Sequence, residues 1–507
     1  MWRAPGRSRE AKPGRCVIVG VRIASSCAQA SKALACPHMR EGSRRVWPFA
    51  LIVVVAIAGY LSTLLEFASG DRRPLGKAAD LYGLRFRDDT RVLFVLIDTL
   101  RADRLGCYGY ERETSPTLDY MASTGVRFGR HLSQSSWTKC SMASLWTGLY
   151  PTRSGVTRFN HALPEAAQMP AEILQEAGFR TAGVWRNGWV APNFGFAQGF
   201  EVYGRPRTKG VPREVRRENP HVLLQGTDHD IVDNALEFLR VHGHERWFLY
   251  LHLMDLHQYV YDEVSAQFGS TYSDVYDNSL LYTDTTVGRL LTHLAETGQL
   301  EKTIVVISSD HGEAFSERGL EGHARHVYRE STEVPFILGL PFRIENGLSL
   351  DVRSRNIDVW PTVLDLLGLP PIDGADGRSL VPEILAGLQG EEIPSDGELA
   401  FSFLDRHWGQ AQKEPRPAVA VLEDDFRFVY SLEVDGKTTE QLFDGGADFL
   451  ERRNVIADHP DLAERLRDEV QVHLDESPPA PWGGEGPISV EIDAMELNQL
   501  RALGYEF

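Results

Sequence analysis

The segment "VLFVLIDTL", Val92 to Leu100, gives the clearest indication of the fold. Its first six residues are apolar and mostly branched, which is typical of a short strand buried on both faces of a parallel sheet. Asp98 follows directly, at the carboxyl end of the predicted strand, where open α/β sheets bind their ligands. The stretch therefore predicts an α/β fold with a ligand site beside Asp98, although an acid at this position can equally serve as a helix N-cap.

Later runs of the same buried-strand character are separated by helical patterns. The runs are 180–185, 247–254, 303–309 and 334–340. Apolar residues recur three to four positions apart over 169–178 and 278–298, which predicts helices that end at Gly178 and Gly298. Strands that alternate with helices indicate a mostly parallel sheet flanked by helices, and we expect this catalytic domain to occupy residues 91–385.

The pattern of the sequence changes after residue 385. Residues 426–444 alternate apolar and polar side chains around Asp435 and Gly436, which predicts a β-hairpin. Residues 460–474 place Leu and Val side chains on one helical stripe. A small C-terminal α+β subdomain of sheet and helix is therefore expected over residues 386–507.

The charge of the chain is distributed unevenly. The 507 residues carry a net charge of −18, yet residues 1–45 hold ten Lys and Arg against two acids. Residues 46–507 are therefore even more acidic than the whole chain. Such a surface repels nucleic-acid phosphates, so no nucleic-acid partner is expected.

The basic arm of residues 1–45 leads into 20 residues without a charge, Val46 to Leu65. This length spans a bilayer core as a helix, and the flanking arginines place the arm in the cytoplasm. We expect a transmembrane signal anchor over 46–66 and a polar linker over 67–90. A single-pass membrane protein follows, with its catalytic domain on the periplasmic or extracytoplasmic side. The alternatives are a cleaved signal peptide and a buried core helix.

A second acidic strand end strengthens the case for a metal site. Asp310 and His311 follow the run 303–309 as Asp98 follows the first strand. Two carboxylates and one imidazole form a ligand set for a divalent metal ion, although Asp-His-Gly also occurs as a plain turn. His257 and His323 lie in polar positions suited to holding anionic oxygens or protonating a leaving group.

Several motifs occur in the order found in one known family. They are "DTLRADRLGCYGY", "SWTKCSMASLWTGLYPTR", "FGFAQGFEVY", "LHLMDLHQY" and "SSDHGEAF", followed by "IDVWPTVLDLLGLP" and the closing "LRALGYEF". Together they resemble the sulfatase family of the alkaline phosphatase superfamily, over roughly residues 90–507. The resemblance implies an alkaline-phosphatase-like sheet and a metal that holds and activates a nucleophile.

Carried over residue by residue, the resemblance implies a site built around one divalent metal ion. The implied ligands are Asp98, Thr138, Asp310 and His311. A set with one imidazole and few carboxylates favours Zn²⁺ or Mn²⁺, with Ca²⁺ and Mg²⁺ as the alternatives. Arg186 and Asn187 stand where family members carry residues that contact the anion.

The nucleophile position separates this chain from most of the family. Sulfatases carry a cysteine that is oxidised to formylglycine, a few residues before a Leu-Thr-Gly. Aligning on Trp146, Thr147 and Gly148 puts Thr138 at that place and Cys140 two residues after it. We therefore expect Thr138 to attack, with His257 and His323 as its catalytic partners, and Cys140 to be a small buried filler.

The leading functional hypothesis is a membrane-anchored, metal-dependent hydrolase of sulfate, phosphate or phosphonate esters. Its substrate is an anionic ester: a sulfated or phosphorylated glycan, lipid or small molecule. The alternative is a transferase of the phosphoglycerol or phosphoethanolamine type that acts on envelope lipids or glycans. A third hypothesis is a non-catalytic protein with the sulfatase fold.

Overall fold

A computed structural model describes residues 71–222, 226–393, 397–483 and 487–492. These residues belong to one compact unit. The predicted basic arm 1–45 and membrane anchor 46–66 lie outside the described residues. Across the described ranges, no helix is both long and apolar enough to cross a membrane.

The central sheet contains eight strands: β1 Arg91–Ile97, β2 Val126–Leu132, β4 Arg180–Trp185, β5 Val202–Gly204, β6 Trp247–Leu253, β7 Thr303–Ser308, β10 Phe336–Gly339 and β11 Leu348–Arg355. Their order across the sheet is β11-β2-β10-β7-β1-β6-β4-β5. Short strands β3 His161–Ala162, β8 Ala314–Phe315, β9 Glu321–Gly322 and β16 Ile488–Ser489 pair outside it. Neighbouring strands from β7 to β5 run parallel, which confirms the predicted mostly parallel sheet.

One strand prediction is corrected in direction. The run 334–340 does form a buried strand, β10, but it pairs antiparallel with both β7 and β2. Residues 309–335 between β7 and β10 contain only one four-residue helix, Arg329–Thr332. A parallel pairing needs a crossover of a dozen or more residues, usually a helix. Residues 309–335 instead form loops beside the sheet edge, so β10 returns antiparallel to β7.

The described residues contain twelve α-helices, of which the last packs on the C-terminal sheet and others cover both faces of the central sheet. They are α1 Ala78–Gly83, α2 Pro116–Thr124, α3 Thr138–Thr147, α4 Pro151–Ser154, α5 Pro170–Glu176, α6 Arg213–Glu218, α7 Asp228–His242, α8 Tyr272–Glu296, α9 Arg329–Thr332, α10 Val359–Leu367, α11 Val381–Gln389 and α12 Pro460–Asp475. All seven residues of β1 are buried as a result, as its apolar sequence predicts. The helix predicted over 278–298 begins six residues earlier, because Thr271 and Asp274 cap its first turn reciprocally.

A second sheet follows in the C-terminal part of the chain. Strands β12 Ala400–Asp405, β13 Pro417–Glu423, β14 Phe426–Leu432 and β15 Thr438–Asp444 form a four-stranded antiparallel meander. Strands β14 and β15 are the predicted hairpin, and α12 buries Leu466 and Val470 of the predicted stripe. The hairpin and the helix therefore form as the sequence pattern predicts.

The predicted linker packs on the body of the protein from residue 71 onward. The Arg73 side chain is buried, pairs with Asp71 at 2.7 Å and donates to the Leu340 carbonyl at 2.9 Å. These bonds dock the segment before α1 at the end of β10. A polar composition alone does not reveal such a contact, because it depends on a partner 267 residues away in sequence.

Candidate active site

The carboxyl ends of the parallel strands bring the predicted ligands together. Asp98 follows β1, Asn187 lies two residues after β4, and Asp310 lies two residues after β7. Asp98 Oδ2 accepts a hydrogen bond from Asn187 Nδ2 at 2.6 Å and lies within hydrogen-bond distance, 3.0 Å, of His252 Nε2. All of these side chains are buried. The site therefore forms at the sheet edge where α/β proteins bind ligands.

Thr138 is the first residue of α3, and its hydroxyl lies at the centre of the cluster. Its Oγ1 is 3.0 Å from His311 Nε2 and 3.3 Å from Asn187 Nδ2. The first N–H groups of the helix have no intrahelical acceptors, and the preceding residue, Trp137, caps none of them with its side chain. The positive end of the helix dipole thus lies at the hydroxyl, which favours an anion at this point.

The donor set fits a divalent cation. Oxygen and nitrogen atoms of Asp98, Asp310 and His311 lie within 4.8 Å of one another. Asp98 Oδ1 and Asp310 Oδ2 are buried and accept no hydrogen bond from any residue that the structure describes. Buried carboxylate oxygens without a partner are costly, and a cation between them removes that cost.

The tautomer of His311 supports the same arrangement. Its Nδ1 lies 3.0 Å from the Gly312 carbonyl oxygen, which can only accept a hydrogen bond. Nδ1 therefore carries the proton, and in the neutral ring Nε2 presents a lone pair toward Asp310 Oδ2 at 3.3 Å and Thr138. A neutral imidazole oriented in this way is the form that binds a metal.

The two carboxylates of the site respond differently to burial. Burial opposes the charge of Asp98, but His257, His252 and His311 outweigh it and hold the pKa of Asp98 below its usual value. Burial, together with the charge of Asp98, raises the pKa of Asp310. Two neighbouring buried carboxylates repel each other when both are ionised, so a positive charge between them is favourable.

His257 and His323 come together beside His311, as the sequence predicts. Their ring centroids are 5.0 Å apart, and the His323 ring is 4.4 Å from that of His311. Burial lowers the pKa of His257 to about 4. Burial also opposes protonation of His323, but Glu313, whose Oε2 lies 3.2 Å from His323 Nδ1, outweighs it and raises the pKa of His323. Two imidazoles thus flank the cluster with different proton affinities.

Arg186 lies next to Asn187 in sequence but has different partners. Its guanidinium forms ion pairs with the buried carboxylates of Asp228, at 2.9 Å, and Asp255. It also donates to the Gly226 carbonyl at 2.9 Å and to Gln258 Oε1 at 2.6 Å. Asn187 reaches Thr138 and Asp98, whereas these bonds hold Arg186 in a buried ion-pair network. Contact between Arg186 and a substrate anion stays a prediction.

Cys140 lies inside α3, away from solvent. Its side chain is 1% exposed, and burial raises the pKa of its thiol to about 12. The neutral thiol is a weak nucleophile, because the thiolate is the reactive form. Both Cys140 and Cys107 are free thiols. The environment of Cys140 therefore matches the filler role expected from the sequence.

Two residues that support the site were not predicted. His252 is buried within β6, where its Nε2 lies 3.0 Å from Asp98 Oδ2 and its Nδ1 lies 2.7 Å from the Tyr250 hydroxyl. Glu313, the partner of His323, received no role. The sequence offered one signal for His252: a histidine at the end of an apolar strand lies at the same sheet edge as Asp98.

Comparison with known proteins identifies the family of the chain. The sulfatase family model matches residues 90–369. An N-acetylgalactosamine-6-O-sulfatase of Bacteroides thetaiotaomicron is 23% identical over 480 residues, covering 74% of this chain and 91% of that protein. Human arylsulfatase A is 28% identical over 353 residues, covering 60% of this chain and 69% of that protein.

Solved structures share the fold. The phosphonate monoester hydrolase of Silicibacter pomeroyi superposes with a TM-score of 0.60 at 21% identity, covering 79% of this chain and 99% of that protein. The family match spans more than half of the chain and includes the strand ends that carry Asp98 and Asp310. The chain therefore belongs to the sulfatase family of the alkaline phosphatase superfamily.

Proposed function

We propose that this chain is a metal-dependent hydrolase of anionic esters in which Thr138 is the nucleophile. Membership of the family makes the chain a sulfatase-family ester hydrolase. The proposal adds the identity of the attacking group, the ligand set and a preference for phosphate and phosphonate esters. The observation that carries it is the position of the Thr138 hydroxyl, 3.0 Å from His311 Nε2 at the start of a helix.

Asp98, Asp310, His311 and Thr138 would hold one divalent ion, with Zn²⁺ or Mn²⁺ favoured over Ca²⁺ or Mg²⁺. When bound, such an ion lowers the pKa of a coordinated hydroxyl and neutralises charge on an anionic ester. The unpartnered oxygens of Asp98 and Asp310 support this assignment. Asn187 and the first backbone N–H groups of α3 are suited to bind the non-bridging oxygens of the ester.

The reaction follows from the groups around Thr138. Its deprotonated hydroxyl attacks the phosphorus or sulfur, forms a new bond to Oγ1 and expels the leaving alkoxide. His323, whose pKa is raised, is the proton donor suited to that alkoxide, and His257 flanks it as a neutral imidazole. Water then attacks the threonine ester, which releases the acid and restores the hydroxyl.

The second step favours phosphorus over sulfur. A formylglycine hydrate expels sulfate by breaking its own carbon–oxygen bond, whereas a threonine ester has no second hydroxyl for that route. Water must therefore attack the central atom of the ester. The fold likeness to a phosphonate monoester hydrolase is compatible with this preference. The names of relatives that act on N-acetylgalactosamine and ulvan sulfates support a glycan-borne ester as the substrate.

Transfer to an alcohol acceptor is the second candidate. Its supporting observation is the threonine nucleophile, since an alcohol resolves a phosphothreonine as readily as water does. An extracytoplasmic domain held by the apolar segment 46–66 would place either reaction near the membrane surface. The proposed single anchor, rather than several spanning helices, favours hydrolysis.

A panel of aryl esters tests the proposal. Full-length protein is assayed with 4-nitrophenyl sulfate, bis(4-nitrophenyl) phosphate and a phenylphosphonate monoester, with and without added Zn²⁺ or Mn²⁺. We expect turnover of the phosphorus esters, loss of at least about a thousandfold in kcat for Thr138→Ala, and near wild-type activity for the matched control Cys140→Ser. Full activity of Thr138→Ala on every ester cleaved by the wild type would refute the assignment.

A further inference from the structure

A basic segment stands out against the acidic chain. Residues 205–217 carry six Arg and Lys and a single acid, Glu214, in a protein of net charge −18. All six cations are exposed: Arg205, Arg207, Lys209, Arg213, Arg216 and Arg217. Exposed like charges repel one another, so such a concentration is costly unless an anion neutralises it.

Topology brings the start of this segment to the active-site edge. It follows β5, which pairs parallel with β4, so both strands end at the same edge of the sheet. The Arg205 guanidinium lies over the Trp185 ring, 5.2 Å from its centroid. Trp185 is the last residue of β4, two positions before Asn187, which bonds the Thr138 hydroxyl.

Contacts at the far end of the segment tie it to the loop after His257. Val215 of α6 is buried in a small cluster with Val260 and Tyr282. Asn219 Nδ2 donates to the Tyr261 carbonyl at 2.6 Å, four residues beyond His257. The segment is thus attached to both loops that carry site residues, next to Asn187 on one side and His257 on the other.

The ion pairs of the segment leave part of its charge uncompensated. Lys209 pairs with Asp233 at 2.8 Å, and Arg217 pairs with Glu218 at 2.9 Å. Within the described ranges, Arg207, Arg213 and Arg216 form no ion pair with any carboxylate. Three exposed guanidinium groups therefore remain available to an external anion, and guanidinium is the cation best matched to sulfate and phosphate oxygens.

We propose that residues 205–217 are a binding subsite for a polyanionic glycan, which engages the anionic groups next to the ester that Thr138 cleaves. This inference rests on the proposed function, because it extends the same site. A single small anionic ester fits at Thr138 alone and gains nothing from the segment. An extended sulfated or phosphorylated chain reaches both, and its attraction depends on salt, since exposed charges are screened over about 8–10 Å at physiological salt.

Heparin, a highly sulfated glycan, serves as the probe, with uncharged dextran as its control. The full-length protein carrying Arg207→Gln, Arg213→Gln and Arg216→Gln is compared with a matched variant, Lys77→Gln, Lys413→Gln and Arg452→Gln. The control removes three exposed charges outside this segment. Inhibition of aryl ester turnover by heparin is measured from about 50 to 300 mM NaCl, and heparin binding is measured separately by calorimetry.

We expect heparin to inhibit aryl ester turnover competitively, and we expect this inhibition to weaken as the salt concentration rises. The Arg207, Arg213 and Arg216 variant should bind heparin at least tenfold more weakly, with unchanged kcat and KM for the aryl ester, whereas the control variant should match the wild type. Equal heparin affinity in the two variants would overturn the proposal, as would binding of the segment to phosphatidylglycerol vesicles but not to heparin. Heparin binding without ester turnover would instead refute the proposed function while leaving the subsite standing.

Discussion

Replacing Arg186 with Met distinguishes a structural role in the buried ion-pair network from direct contact with substrate. The Arg186 guanidinium is buried and pairs with two buried carboxylates, Asp228 and Asp255. Removing one partner of a buried ion pair costs about 3–5 kcal/mol, because the remaining charge is left without compensation. We therefore expect Arg186→Met to lower the free energy of unfolding by roughly that amount at pH 8.

The loss of unfolding free energy in Arg186→Met should be smaller at low pH than at high pH. Burial and the neighbouring charge of Asp228 already raise the pKa of Asp255 to about 7. A carboxyl with a raised folded-state pKa favours folding in its protonated form, and that contribution disappears as the pH rises through the folded pKa. Without Arg186, Asp255 takes up a proton more readily, so the loss at pH 5.5 should be smaller than at pH 8.

A double-mutant cycle tests this reasoning. Urea unfolding followed by tryptophan fluorescence is compared for the wild type, Arg186→Met, Asp255→Asn and the double variant. We expect the double variant to be more stable than the sum of the single losses predicts, by at least about 1.5 kcal/mol. Effects that add within about 0.5 kcal/mol, together with a raised KM for aryl esters in a fully stable Arg186→Met protein, would refute the network and support direct contact with substrate.

Two further predictions concern metal binding and acid stability. Asp98→Asn should reduce divalent metal content at least tenfold by plasma mass spectrometry, while the distant Asp435→Asn should match the wild type; equal metal content in both would contradict the ligand set. Burial lowers the pKa of His473 to about 4, so its neutral form stabilises the fold above pH 6.5 and the contribution is lost as the pH falls toward 4. His473→Phe keeps the ring stacked on Phe401, 4.2 Å away, and should reduce the loss of stability between pH 6.5 and 4 by up to about 3 kcal/mol; identical urea midpoints across this range would contradict it.

The sequence predicts the sheet and most of the metal cluster because both depend on local patterns. A buried strand such as β1 is readable from its apolar run, and Asp98 and Asp310 are readable as strand ends. Parallel strands then bring those ends together without further information. The antiparallel direction of β10 could not be predicted from its sequence, because it depends on the absence of a crossover helix before it.

The interactions that the sequence did not reveal join residues that are distant along the chain. His252 bonds an acid 154 positions away, and the guanidinium of Arg186 pairs with Asp228 and Asp255, 42 and 69 positions away. Their own neighbours in sequence give no sign of these bonds. Glu313 is ten residues from His323, but the turn that brings them together has no simple periodicity.

A trapped covalent adduct distinguishes Thr138 from Cys140 as the nucleophile. Full-length protein is mixed with bis(4-nitrophenyl) phosphate, quenched in acid within a few turnovers and digested for mass spectrometry. We predict a phosphoryl adduct on Thr138, in the peptide that also contains Cys140, and its absence from Thr138→Ala. An adduct on Cys140, or turnover with the same burst in Thr138→Ala, would contradict it.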